Sequence, residues 1–282
     1  MKRMTKGLAA SLLLAVPLAA CGDSSTDQAE TSRWDEIKED GTLTVGTAGT
    51  LYPASFREED SDTLTGFDVE LMKEVGKRLD LEVQFKEMAF DNMLTSVQNG
   101  QVDVAANDIS VTEDRREKLA FSTPYKYTYG TAIVRKSDLS GIESIEDLKG
   151  KKAAGEATTV FMDVARQYGA EEVIYDNATN DQYLRDVSTG RTDVILNDYY
   201  LQTLALAFFP DFDITIHPDI AYNPQEVAFL MDKENAELQE NIDRVLGEML
   251  EDGTVKELSE TFYNGADVSV EPDVDATIVE LD

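Results

Sequence analysis

A twelve-residue phrase occurs twice in this chain and restricts what it can fold into. Val97 to Asp108 and Val187 to Asp198 both read V-x-x-G-x-x-D-V-x-x-N-D. Each copy predicts the end of a helix, a glycine stop, a tight turn, a short buried strand, and polar residues just past the strand's C-terminal end. Open α/β sheets bind ligands outside those strand ends. Two such units predict two similar lobes, each offering polar groups at its own strand tip. Where the lobes face each other, the groups converge on one cleft.

The rest of the pattern agrees. Leu43 and Val45 alternate as a strand. Leu71, Met72, Val75 and Leu79 have helical spacing behind Asp68, and Leu81, Val83 and Phe85 alternate again. In the second half, Lys152 to Ala154, Val173 to Tyr175 and Val194 to Leu196 read as strands, with helices between and after them. Leu238, Ile242, Val245, Leu246 and Met249 mark a long amphipathic helix, and Val255, Leu258 and Phe262 a last one. Strands alternating with helices predict an α/β fold with mainly parallel pairing, covered on both faces. Residues 266–282 are acidic, have no helical pattern, and read as a tail without regular structure.

The first residues read as targeting information. Lys2, Arg3 and Lys6 precede the apolar run Leu8 to Ala20, which is too short to span a bilayer comfortably and ends in small residues before Cys21. This ending resembles the lipobox of bacterial lipoproteins. That resemblance implies a signal peptide over 1–20, a lipidated Cys21 and a tether over 21–40, with the protein held to the cell membrane from outside. Stable anchoring takes two or more acyl chains. Cys21 is the only cysteine, so none is left for a disulfide.

The chain carries 25 basic and 56 acidic side chains. Losing the leader would leave 22 against 56, a net charge of −34. Such a surface repels nucleic acid. It suits solubility in a saline or alkaline medium, and it also suits capture of a cationic ligand.

The first strand tip runs Asn107-Asp108-Ile109-Ser110-Val111-Thr112-Glu113-Asp114-Arg115. Thr112 is a candidate N-cap, which places Arg115 in the first helical turn beside free backbone N–H groups. Arginine there opposes the helix dipole, but it suits a carboxylate held bidentately. The alternative is a surface arginine paired with one of the many acids.

Further motifs follow in order: Gly66-Phe67-Asp68-Val69-Glu70-Leu71, Phe90-Asp91, Gly100-x-x-Asp103-Val104, Thr112-x-x-Arg115, Phe121-Ser122-x-Pro124-Tyr125, Asp147-Leu148-Lys149-Gly150-Lys151 and Asp252-Gly253-Thr254. As a set, over about residues 41 to 264, they resemble the solute-binding proteins for polar amino acids of ABC transporters, family 3.

The resemblance implies a two-lobed periplasmic-binding-protein-like (Venus flytrap) fold, with two mixed sheets flanked by helices and joined by two hinge crossings. Lobe 1 would comprise residues 41–126 and 227–265, and lobe 2 residues 127–226. It implies a monomer that binds a free amino acid and delivers it to an ABC transporter permease, with no cofactor or metal. It also implies roles. Arg115 would clamp the ligand carboxylate, with help from Ser110. Thr158 and Thr159 would reach that carboxylate from lobe 2, although Ala157 stands where the family usually has glycine. Asp198 would take the α-ammonium. Tyr52 and Phe90 would sandwich the side chain, with Leu51 or Phe56 as substitutes for Tyr52. Asn107 and Asp108 would complete the first strand tip.

The start Gly46-Thr47-Ala48-Gly49-Thr50 and the pair Ala106-Asn107 resemble the cystine-type branch more closely, which implies a neutral polar or sulfur-containing ligand. Asp108, Asp91 and Glu156 keep a cationic amino acid as an alternative. An enzyme on the same fold, of cyclohexadienyl-dehydratase type, is the other alternative. It needs a general acid that nothing in the sequence selects. The only histidine, His217, precedes Pro218 and reads as a surface loop residue.

Overall fold

The computed structural model describes residues 32–281 apart from 59 and 177. The expected signal peptide, Cys21 and the first part of the expected tether lie outside them. The described chain begins with α1 (Arg33–Asp40), then β1 (Thr42–Thr47), β2 (Thr50–Leu51), β3 (Ser55–Arg57), β4 (Leu64–Thr65), α2 (Phe67–Arg78), β5 (Glu82–Glu87), α3 (Phe90–Gln98), β6 (Val104–Ala105), α4 (Glu113–Lys118) and β7 (Leu119–Phe121). It continues with β8 (Lys126–Arg135), β9 (Lys152–Gly155), α5 (Val160–Gln167), β10 (Glu171–Ile174), α6 (Asn180–Ser188), β11 (Val194–Asp198), α7 (Tyr199–Phe208), β12 (Ile214–Val227), β13 (Leu230–Asp232), α8 (Ala236–Glu251) and α9 (Thr254–Phe262).

Two five-stranded mixed sheets organise two lobes, in the orders β5-β1-β6-β13-β7 and β10-β9-β11-β8-β12. In each, a central strand is flanked by two parallel partners, and an antiparallel strand borders the third. The repeated phrase supplies that third strand both times, β6 and β11. Its residues do the same local work in each copy. Gly100 and Gly190 take φ of 70° and 74°, the left-handed conformation that lets the chain leave the helix. The N–H groups of the next two residues return to Ser96 O in one copy and Asp186 O in the other. The aspartate then latches the start of the neighbouring parallel strand. Asp103 Oδ2 accepts from Thr44 N at 2.9 Å, and Asp193 Oδ2 from Lys152 N at 2.9 Å.

Each sheet buries apolar side chains on both faces, because successive strand residues point oppositely. Around β11, Val194 and Leu196 join one core with Leu148 and Val164, while Ile195 joins another with Leu184 and Val187. Strands β8 and β12 run antiparallel along their full lengths, from Arg135↔Ile214 to Lys126↔Val227. Residues 122–125 lead from β7 into β8, and residues 228–229 from β12 into β13. The first sheet therefore connects to the second through these two short passages.

Two expectations need correction. Residues 33–40 are helix rather than tether. Ser32 caps α1 by accepting from Asp35 N, Gly41 ends it at φ 65°, and Trp34 and Ile37 are buried in the core that holds Leu238 and Ile242. His217 is not at the surface. It sits in the irregular stretch of β12 between Ile216 and Ala221, is buried, and binds Ile142 O at 3.0 Å through Nε2. The acidic C-terminal segment has no helix or strand among its described residues, as expected, and it packs against the body. Val268 and Val279 are buried, Tyr127 N donates to Val268 O, and Thr277 bridges to Tyr222. No helix among the described residues is long and apolar enough to cross a membrane.

Candidate functional site

The first strand tip holds a buried arginine at the start of a helix. Thr112 caps α4, its hydroxyl accepting from Arg115 N at 3.2 Å. This fixes the helix start and turns the Arg115 side chain inward, where it is only 9% exposed. Its guanidinium lies over the Phe90 ring at 5.7 Å from the centroid. Nη1 donates to Ser110 O at 2.8 Å and Nη2 to Thr158 O, on the other lobe, at 2.9 Å. Burial pulls the guanidinium down to about 10, so it stays charged at neutral pH. Among the described residues it has no ion-pair partner within 4 Å, unlike most arginines of this acidic chain. A desolvated cation with spare donors favours an incoming anion.

Arg115 lines a cavity between the lobes, together with Leu51, Phe90, Asn107, Asp108 and Ser110 from the first and Glu156, Thr159, Phe161 and Asn197 from the second. The cavity continues into the second lobe among Ala154, Gly155, Tyr183, Leu184, Ile195 and Gln202. Leu51, Asn107, Glu156, Thr159, Phe161, Asn197 and Leu201 border both parts.

Most of the expected residues gather here, several in roles other than those expected. Asn107 Oδ1 accepts from Ala48 N at 2.9 Å and so holds the β1 tip against β6. Ser110 Oγ donates to Gln225 Oε1 at 2.6 Å, tying the loop to β12. Thr159 caps α5 by accepting from Met162 N. Thr158 offers its carbonyl to Arg115, while its N–H and hydroxyl both donate to Asp91 Oδ1, at 3.0 and 2.6 Å. In this conformation Thr158 closes a latch between α3 and the second lobe instead of presenting its hydroxyl to a ligand. Tyr52 does not border the cavity. Its ring packs against Phe56 at 4.9 Å and Phe208 at 5.7 Å, and Leu51 takes the cavity wall.

Asp198 departs furthest from expectation. It is 1% exposed and does not border the cavity. Oδ1 caps α7 through Leu201 N at 2.8 Å, and Oδ2 lies 2.9 Å from Lys126 Nζ as an ion pair. Lys126, fully buried, also donates to Asp108 Oδ1 at 2.6 Å. Asp68 joins the group by accepting from Asp108 N and, at 3.0 Å, from the Tyr125 hydroxyl. Two carboxylates thus contact one ammonium, with Asp198 brought from the second lobe, and Asp68 stands beside them as a third buried carboxylate. Burial would lower the Lys126 pKa, but Asp108 and Asp198 outweigh it and hold the ammonium charged well above its usual range. Burial pushes Asp108 up to about 7 and Asp68 up to about 6, both opposed by Lys126.

Sequence reasoning missed Lys126. The signal was a lysine in the inward set of an alternating strand, Lys126, Thr128 and Gly130, a place a lysine takes only when paired. It also missed Gln202, four residues beyond Asp198 on the same face of α7.

Residues 43–265 match the family model of bacterial extracellular solute-binding proteins, family 3. The chain is 61% identical over 266 residues to the "Probable ABC transporter extracellular-binding protein YckB" of Bacillus subtilis, covering 94% of this chain and 93% of that one. It is 35% identical over 260 residues to the L-cystine-binding protein TcyA of Bacillus subtilis, covering 89% and 94%. The crystal structure of YckB superposes with a TM-score of 0.71 at 63% identity, covering 88% of this chain and 99% of that one. An ancestral arginine-binding protein bound to arginine superposes with a TM-score of 0.72 at 30% identity, covering 79% and 98%. By the match across most of its length, the chain belongs to the bacterial extracellular solute-binding proteins, family 3.

Proposed function

We propose that this protein captures a free α-amino acid between its lobes outside the cytoplasm and delivers it to an ABC importer. The observation that carries the reading is Arg115, a buried cation without a carboxylate partner among the described residues, bordering an inter-lobe cavity. The ligand carboxylate occupies its free donors. The ligand ammonium is met by Asp108, which borders the cavity, rather than directly by Asp198. Three carboxylates against one lysine leave that group able to accept a second cation. Asp198 contributes from behind, through Lys126.

Lobe 1 is assigned to 41–126 and 227–265, and lobe 2 to 127–226. This is supported by the sheet membership of the strands and by the two short passages at the Lys126–Val227 end of the β8–β12 pair. Closing the lobes brings Thr158 to Arg115 and Asp91, and Asp198 to Lys126. Ligand contacts from both lobes favour that closed state, which is the form delivered to the permease. The protein acts as a monomer held to the membrane by lipid on Cys21, a reading supported by the lipobox-like Leu18-Ala19-Ala20-Cys21. The relatives are named as transporter binding proteins, which supports binding rather than turnover.

A neutral polar or sulfur-containing ligand, such as cystine, is favoured by the similarity to TcyA and by the mainly apolar lining of the second part of the cavity. A cationic amino acid is the second reading, favoured by Glu156, which borders both parts. Mass spectrometry of ligand released from purified protein by denaturation separates the two. Calorimetry with that ligand should show Arg115→Ala weakening binding at least about tenfold, since a charge-assisted hydrogen bond contributes roughly 1.5–3 kcal/mol. Unchanged affinity removes Arg115 from the site and the reading with it.

A further inference from the structure

The cavity does not end at Arg115. Beyond Asn197 and Glu156 it enters the second lobe, where its walls become mainly apolar: Ile133, Ala154, Leu184, Ile195 and Ala205. Gln202 stands on this wall and is only 2% exposed. The sequence fixes its position. Asp198 caps α7, so the residue four places on lies over the same face, back against β11. There Gln202 Nε2 donates to Ile195 O at 3.1 Å. That bond settles the orientation of the amide, because turning it over would set two oxygens against each other. The other end, Oε1, is left as an acceptor with no partner among the described residues. An unpaired buried acceptor is destabilising, and a wall that retains one is suited to a donor that arrives with a ligand.

We propose that Gln202 is a specificity-determining residue that accepts a hydrogen bond from the far end of the ligand side chain. This selects α-amino acids whose side chain is extended, apolar along its length, and tipped with an N–H or O–H donor. The proposal rests on the amino-acid reading above. With the carboxylate on Arg115 in the first part, the side chain runs past Leu51 and Phe161 into the second part and meets Gln202 there. An apolar tip of the same length would fill the same space but leave Oε1 unpaired. A site built to hydrogen-bond its substrate rejects the analogue lacking that group.

The test is calorimetry on the full mature protein with three probes: L-cystine, L-lysine and L-norleucine. L-Norleucine has the lysine chain without the terminal ammonium. The wild type should bind at least one donor-tipped probe about tenfold more tightly than L-norleucine. Gln202→Met should remove about tenfold on that probe and leave L-norleucine within about twofold. Loss of the Ile195 contact weakens all probes alike, so the ratio isolates Oε1. Equal effects on donor-tipped and apolar probes, or no effect on either, overturn the proposal. If thermal melts show Gln202→Met unfolded, Gln202→Leu, which also lacks the acceptor, takes its place with the same expected ratio and the same overturning result. Arg115→Ala distinguishes the failures. If it weakens every probe while the Gln202 ratio stays flat, only the role of Gln202 falls. If no probe binds, or binding ignores Arg115, the amino-acid reading falls too.

Discussion

Replacing Lys126 with methionine keeps the length of the side chain and removes its charge. The ammonium lies 2.6 Å from Asp108 and 2.9 Å from Asp198, with all three groups buried. Breaking a buried pair by removing one partner costs about 3–5 kcal/mol, because a charge is left without compensation. Each kcal/mol shifts the melting temperature of a chain of this size by roughly 2–4 °C, so Lys126→Met should melt about 6–20 °C lower at pH 8.

The deficit should depend on pH in a definite direction. Asp68 and Asp108 have pKa values raised by burial to about 6 and about 7, above the usual carboxylate value. The folded state therefore holds more protons than the unfolded state across that window, and stability falls as pH rises through it. Without Lys126, which opposes both shifts, the window extends higher. The gap between variant and wild type should be widest above about pH 7 and narrow towards about pH 5, where protons neutralise the carboxylates. Thermal melts followed by circular dichroism at several pH values measure both quantities. The double variant with Asp198→Asn should recover part of the loss at pH 8. A deficit under about 1 kcal/mol, or one that is flat with pH, would refute the idea that Lys126 offsets the charge of this carboxylate group.

Asp91→Ala removes the acceptor that holds both Thr158 N and Oγ1; the latch is exposed, so ligand affinity by calorimetry should fall only about threefold to tenfold, with the melting temperature nearly unchanged. Ligand affinity should weaken as pH drops below about 7, by up to tenfold per unit, because protonated Asp108 cannot pair with an ammonium; calorimetry from about pH 5.5 to about pH 8 in buffers of different ionisation enthalpy reads both the trend and the proton released. Val279→Asp puts a charge into the core of the second sheet, where Val279 is 6% exposed, and should lower the melting temperature; an unchanged melt would show that the C-terminal segment does not contribute there.

The elements that were legible in the sequence are those whose structure is settled by neighbours along the chain. The repeated phrase specified a helix end, a left-handed glycine and an inward strand, and both copies adopt them with the same hydrogen bonds. Thr112 and Arg115 were readable because an N-cap and its first turn span only a few residues. Helix α1 was readable too, from Ser32 and Gly41, but the acidic run between them masked the buried pair Trp34 and Ile37.

What the sequence by itself determined was the two-unit α/β plan, the strand tips that would carry polar groups, and the arginine suited to a carboxylate. All of these follow from local periodicity, capping and glycine geometry. Only the tertiary structure decided which charges meet. Lys126, Asp68, Asp108 and Asp198 are far apart in the chain and identical in type to dozens of solvated neighbours. Burial between the lobes makes them one electrostatic unit, takes Asp198 off the cavity wall, and leaves Arg115 unpaired upon it. The reason is that a charge's energy depends on what water it has lost and what faces it across space, and neither is written in the order of residues.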